Sequence, residues 1–212
     1  MDFLSELLKM LDTLLPTIKN INQFLQNQFI TIIFIWVCSI FLAYPDRDII
    51  QITIGIIFMH FWIYFVHRGV HMLPKDGIIG ALNTHWLFHH QHNKLLDRRI
   101  ELTMEMFTDI AMNTSILLIQ WLTNIWFVPL SVGLFFTIVY TSVHIINYSM
   151  IGSDTHKKHH MNHDTNFGPD TIDHIFGSSE DGEFEDLKPV CINIIISFCV
   201  VLFLKTRYGW ED

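Results

Sequence analysis

Thirteen of the chain's 212 residues are histidine, and their spacing points to chemistry. The densest stretch reads His156-Lys-Lys-His159-His160-Met-Asn-His163. On a helix, residues at i, i+3, i+4 and i+7 share one face, so the spacing predicts these four imidazoles side by side. Neutral imidazole is a good ligand for a borderline transition metal, whereas several protonated imidazoles this close would repel one another. The cluster therefore reads as a metal site rather than as a run of surface histidines. His163 sits at the far end of the face and ranks behind the other three.

Two further boxes repeat the theme. His67-Arg-Gly-Val-His71 places a pair at i, i+4 at the end of an apolar run, with Tyr64 and His60 continuing the same face inward. His60 lies one to two turns deeper and reads as a hydrogen-bonded core or tunnel residue. His85-Trp-Leu-Phe-His89-His90 gives a second i, i+4 pair with His90 one step round, and His92 follows as a spare or supporting group. His144 is isolated in sequence, but its position near the end of another apolar run puts it at the depth of the boxes. Asn147 follows one turn later as a supporting group. A single histidine is usually a core or surface residue, and His174 carries no stronger signal than that.

These residues must be positioned by an apolar scaffold. Half the chain is apolar, 14% is aromatic and only 16% is charged, against about a quarter charged in ordinary soluble domains. The mean hydropathy is +0.35. The composition indicates a membrane protein of one domain. The formal net charge of −8 leaves no basic footprint for nucleic acid. Cys38, Cys191 and Cys199 lie in apolar stretches without a Cys-x-x-Cys pair, so disulfides and thiolate metal sites are not expected. The start, Met-Asp-Phe-Leu-Ser-Glu, lacks the basic residues and cleavage site of a signal peptide.

Along the chain, residues 1–27 read as an amphipathic segment with a break near Pro16, lying at the interface or packed on the protein's own helices. Residues 28–188 form the membrane domain, and residues 189–212 an apolar C-terminal segment and tail. Within the domain, runs at 28–44 and 49–66 flank a polar turn at Asp46-Arg47-Asp48. A second pair at 106–124 and 126–147 breaks around Asn124 to Pro129. Asp109 and Asn113 fall near the entry of that pair, where polarity is cheaper than at mid-bilayer. The fold class is all-α, polytopic, with about four transmembrane helices in two hairpins. Residues 189–204 would rise only about 24 Å as a helix, short of a ~30 Å hydrocarbon core. They are expected to pack on or partly enter the membrane, with a full span as the alternative. Lysines and arginines concentrate on the histidine-rich side, so the positive-inside rule places that side in the cytoplasm. The acidic patch from Glu180 to Asp186 reads as a solvated loop.

The three boxes, at the ends of paired spans, resemble the fatty acid hydroxylase and sterol desaturase superfamily. The tail adds to the likeness: Asn166-Phe167-Gly168, then Asp173, Phe176, Gly177 and Ser178, is similar to that superfamily's Asn-Phe-Gly…Asp-x-x-Phe-Gly-Thr ending. The resemblance covers roughly residues 55–178. It implies a membrane non-haem di-iron oxygenase with His67, His71, His85, His89, His90, His156, His159 and His160 as ligands and His144 as an addition. It also implies two iron ions, with zinc possible in a purified or inactive form, and O2 attack on a C–H bond of a fatty acyl or sterol-type lipid. Electrons would come from NAD(P)H through a separate reductase and cytochrome, and the location would be the endoplasmic reticulum membrane in a eukaryote. The chain departs from the pattern in two places. The middle box has three intervening residues where close hydroxylase relatives more often have two, and Ser178 replaces Thr.

Two other readings stand beside the oxygenase. A metal transporter would carry its ligands near the bilayer midplane, and here only His60 lies well inside a span. A catalytically inactive relative would keep the same metal site for structure.

Overall fold

The computed structural model describes residues 19–91 and 97–212, and within them every regular element is helical. The expected break at Pro16 and the histidine at His92 lie outside the described residues. Helix α1 (Lys19–Asn27) meets α2 (Phe29–Ala43) at a 45° bend. Then follow α3 (Ile49–His71), α4 (Gly77–Leu82), a π-helical turn at Trp86–His90, and α5 (Arg98–Thr123). Helix α6 (Leu130–Ser142) runs into a π-helical segment (Val143–Ile151). Short helices α7 (Asp154–Met161) and α8 (Asp170–Phe176) follow, then a 3-10 turn (Lys188–Val190) continuing into α9 (Cys191–Tyr208).

Four helical stretches among the described residues are long and apolar enough to cross a membrane: Ile49–His71, Arg98–Thr123, Leu130–Ile151 and Lys188–Tyr208. The bent α1–α2 pair makes a fifth if it counts as one span. This corrects two expectations. Helix α2 has only 15 residues, too few to span alone at ~1.5 Å each. The C-terminal stretch is longer than its apolar run, because Lys205, Thr206 and Arg207 continue the helix to Tyr208, giving 21 residues with its 3-10 start.

Helix α6 is central, packing on α2, α3, α5 and α9. Its Val132, Phe135, Phe136 and Val139 are buried, and they meet Ile52, Ile56, Met59 and Ile63 on one face of α3 and Ile194 and Val201 of α9. Gly133 allows α5 and α6 to approach, since a Cβ there would lie 2.6 Å from Leu117 Cδ2. Ile50, Ile54, Leu118, Trp121, Ile192 and Phe203 point outward and are exposed, as a surface facing lipid requires.

The end of the bundle away from the histidines is tied by polar contacts. Lys205 Nζ donates to the Leu42 carbonyl at 2.8 Å and pairs with Asp46 and Asp212, each at 2.7 Å. Asp212 caps α6 by accepting from Ser131 N–H and Oγ at 2.6 Å each. Gln120, fully buried, satisfies the α5–α6 turn alone: its Oε1 accepts from Phe127 and Val128 N–H, and its Nε2 donates to the Val128 carbonyl. Gln120→Leu would leave the buried Val128 N–H and carbonyl unpaired, at about 1–3 kcal/mol each, and would also take the acceptor from the more exposed Phe127 N–H. We expect it to lower stability by roughly 3 kcal/mol or more, read as a lower thermal midpoint in detergent with metal content per folded molecule unchanged.

Candidate metal centre

The histidine stripes converge at one end of the bundle. On α3, His60, Tyr64, His67 and His71 follow one face, and the last two reach the centre. The middle box is carried by a π-helical turn in which Gln91 N–H bonds back five residues to the Trp86 carbonyl. Asn83 holds this turn: its Oδ1 accepts from Trp86 N–H, and its Nδ2 donates to the Val70 carbonyl. The third box sits on α7, capped by Ser153 Oγ accepting from His156 N–H.

The nine sequence candidates fall into two facing groups. One comprises His67, His71, His85, His90 and His159. The other comprises His89, His156 and His160, with His89, Glu105 and His144 adjoining. This corrects the expected pairing of His85 with His89 and the expected single face for His156, His159 and His160. His85 pairs with His90 across the wide π turn, their Nε2 atoms 3.3 Å apart, while His89 turns to the second group. Likewise His156 and His160 stay together, with Nε2 atoms 3.0 Å apart, and His159 crosses to the first group. Each His-His dipeptide is thus split, because neighbouring helical residues project ~100° apart.

The nitrogen spacing suits a cation. His67, His71 and His85 place their Nε2 atoms 3.1–3.2 Å from one another, and His90 Nε2 is 3.2 Å from that of His71. Ligands at ~2.0–2.1 Å from one metal lie about 2.9–3.4 Å apart, between right-angle and tetrahedral geometry. The tautomers are set from outside. His67 Nδ1 donates to the Phe167 carbonyl (2.5 Å) and His159 Nδ1 to the Thr165 carbonyl (2.7 Å). His89 Nδ1 donates to Glu105 (2.8 Å) and His144 Nδ1 to Asp109 (2.6 Å). Each of these rings therefore turns a bare Nε2 lone pair inward. Nε2 of His89, His144 and His159 is buried without a hydrogen-bond partner. Lone pairs gathered in this way could hold metal ions.

Glu105 and Asp109 join the candidate site through His89 and His144, a place the histidine pattern alone does not give them. Asp109 was assigned to a zone of cheap polarity, but both carboxylates are buried, at 2% and 3% exposure. Glu101, Glu105, Asp109 and Asn113 recur every four residues along the buried face of α5. That period was the available signal.

The tail motif is a clasp. Asp173 accepts from Phe167 N–H (3.0 Å), Gly168 N–H (2.6 Å) and Ser178 Oγ (2.7 Å). Ser178 Oγ also meets Tyr64 Oη at 3.0 Å, and Asn166 N–H donates to the Ser178 carbonyl. Asn166 and Gly168 take positive φ, 52° and 69°, which turns the loop so that its carbonyls face His67 and His159.

The remaining described histidines lie outside the two groups. His163 packs against His90 and Trp86. His60 donates through Nδ1 to the Ile56 carbonyl. His174 belongs to a separate anchor, with Nδ1 donating to the Asp170 carbonyl and stacking on Phe184. Burial opposes its charge, but the Asp170 side chain and carbonyl outweigh burial and lift its pKa to about 9. Asp170 also accepts from Gln28 and from Glu185 N–H, so part of the acidic loop is folded against α2 rather than simply solvated.

A cavity of about 130 Å³ opens beside the centre. His67, His85, His144 and His156 border it at one end, and it runs between α2, α3, α5 and α6 past Ile35, Ile63 and Val139. Comparison of the chain with protein-family models, with curated proteins and with solved structures gives no match.

Burial, reinforced by repulsion from neighbouring histidines, holds the pKa values of His85, His89, His90 and His156 well below the usual imidazole range. Burial does the same to His159, lowering it from 6.5 to about 2. All five rings are neutral at pH 7. Between about pH 6.5 and these depressed values the unfolded chain takes up protons that the folded chain refuses, so stability falls as pH falls through that window. Metal retention should follow the same sign: acidifying from pH 7.5 to 5 should strip metal and lower the thermal midpoint, checked by elemental analysis and thermal unfolding. Glu105→Ala should weaken metal affinity by about 10–100-fold by freeing the His89 ring. Glu105→Gln, which keeps an acceptor oxygen, should lose less, measured by competition with a chelator.

Proposed function

We propose that the chain is a membrane non-haem di-metal oxygenase that hydroxylates or desaturates a lipid, with iron as the working metal. The observation that carries this reading is the split of each His-His pair between two facing imidazole groups beside an apolar cavity. His67, His71, His85, His90 and His159 would hold one ion, and His89, His144, His156 and His160 the other. When bound, the pair of irons supplies the redox capacity to activate O2 against an unactivated C–H bond, which zinc lacks.

The chain's own residues orient and exclude. Phe167, Thr165, Glu105 and Asp109 hold four rings in the tautomer that faces inward. The near-absence of anionic ligands keeps the centre electrophilic, while the buried carboxylates of Glu105 and Asp109 offset part of its positive charge from one step away. Ile35, Ile63 and Val139 offer an apolar wall along which a lipid can be held dry. Hydroxylation consumes O2, two electrons and two protons and releases one water. Desaturation removes two hydrogens from the lipid and releases two waters. The electrons would come from NAD(P)H through separate reductase and cytochrome partners. Two helical hairpins, the bent α1–α2 pair with α3 and α5 with α6, would carry the histidine end to the cytoplasmic face, in the endoplasmic reticulum membrane in a eukaryotic cell.

The test is comparative lipidomics of membranes holding equal amounts of wild type or His160→Ala. A lipid that gains one oxygen atom in wild type alone is expected for hydroxylation, and one that loses two hydrogens for desaturation. Full conversion by His160→Ala with its metal content intact would overturn the assignment.

A further inference from the structure

The cavity is not uniformly apolar. His60 of α3, Asn113 of α5 and Tyr140 of α6 all line it. Asn113 is 7% exposed, and its side chain makes no hydrogen bond to the described protein residues. Neither does the Tyr140 hydroxyl. His60 commits Nδ1 to the Ile56 carbonyl, so its Nε2 carries a lone pair and finds no hydrogen-bond partner among the described residues. Their backbone positions lie deeper in the bundle than the centre, and the Tyr140 ring is within electrostatic reach of Asp170, Asp173 and Glu185, which line the same cavity. His60 is seven residues from His67, Asn113 four from Asp109 and Tyr140 four from His144, or about 6–10 Å further along their helices.

Polar groups left without partners inside a membrane bundle are costly unless something else satisfies them. A purely hydrocarbon substrate would leave all three unpaired. Together they offer acceptors (His60 Nε2, Asn113 Oδ1) and donors (Tyr140 Oη, Asn113 Nδ2), and a hydroxyl group needs one of each. Their depth matters too. A phospholipid or other charged headgroup would stay at the interface, level with the histidines or outside them.

We propose that His60, Asn113 and Tyr140 form a recognition site for a hydroxyl carried by a small neutral lipid alcohol, held about 6–10 Å inward of the metal ligands. The site selects lipids that can enter hydroxyl-first and sets which carbon faces the centre. The inference deepens the oxygenase reading and rests on it only in calling the ligand a substrate.

The test reads binding rather than turnover. Wild type, Tyr140→Phe and Asn113→Leu/Tyr140→Phe are purified from the same membranes in a mild detergent. Their co-purifying lipids are extracted and quantified by mass spectrometry, with metal content and thermal midpoint measured on the same samples. Wild type is expected to retain a neutral lipid alcohol, with a few-fold loss in Tyr140→Phe. The double variant should lose about tenfold while metal content is unchanged. The same lipid complement in wild type and Tyr140→Phe at equal midpoints would mean that the polar groups bind water only, and would overturn the proposal. So would retention of phospholipid alone. A variant-sensitive alcohol in a protein that carries no iron and converts no lipid would leave this site standing and remove the oxygenase reading instead.

Discussion

Everything at the centre depends on where each imidazole keeps its single proton. A neutral ring offers one N–H and one lone pair, and only the lone pair can hold a metal. Four of the nine rings have their N–H tied outward, two to loop carbonyls at Phe167 and Thr165 and two to carboxylates at Glu105 and Asp109. The remaining nitrogens then crowd inward at distances that repel without a cation and suit one that is bound. The clasp around Asp173, the caps on α7 and the buried acidic face of α5 all serve this arrangement.

The backbone solves a related problem. Two groups side by side are filled from few short segments, and the middle and third boxes each reach both. Adjacent histidines do this on α7, because consecutive side chains diverge. The middle box adds a π-helical turn, which brings His85 and His90 together at a separation of five residues and sends His89 the other way. A π-helical segment also follows α6 and carries His144. Such widened turns are uncommon in helices and recur at functional sites. The long spans below supply rigidity, since α6 packs against four neighbours and Gln120 and Lys205 close the opposite end.

Much of this was legible in the residues. The helical class, the membrane setting and the gathering of the box histidines follow from hydropathy and from spacings of three and four, whereas His144 was legible only from its depth. The turns at Asp46 to Asp48 and at Asn124 to Pro129 were marked by polar residues and proline. Span limits were less legible. Helix α9 runs on through Lys205 and Arg207 because Lys205 finds Asp46 and Asp212 at the bundle end, contacts over more than 150 positions in one case that no local window reports. Helix α2 is too short to span alone, and α1 meets it at a 45° bend beside Gln28, whose side chain is held by Asp170.

The sequence by itself determined the ligand type and the depth at which the ligands gather, because imidazole chemistry and helical periodicity are local properties. Only the tertiary structure decided how the histidines divide between two groups, since that depends on a π turn and on which helix faces which. It alone gave Glu105 and Asp109 their role, for a carboxylate in an apolar helix is costly until a specific ring on another segment takes its hydrogen bond. It also set His60, Asn113 and Tyr140 around one cavity, three residues from three helices whose common neighbourhood exists only once the bundle is packed.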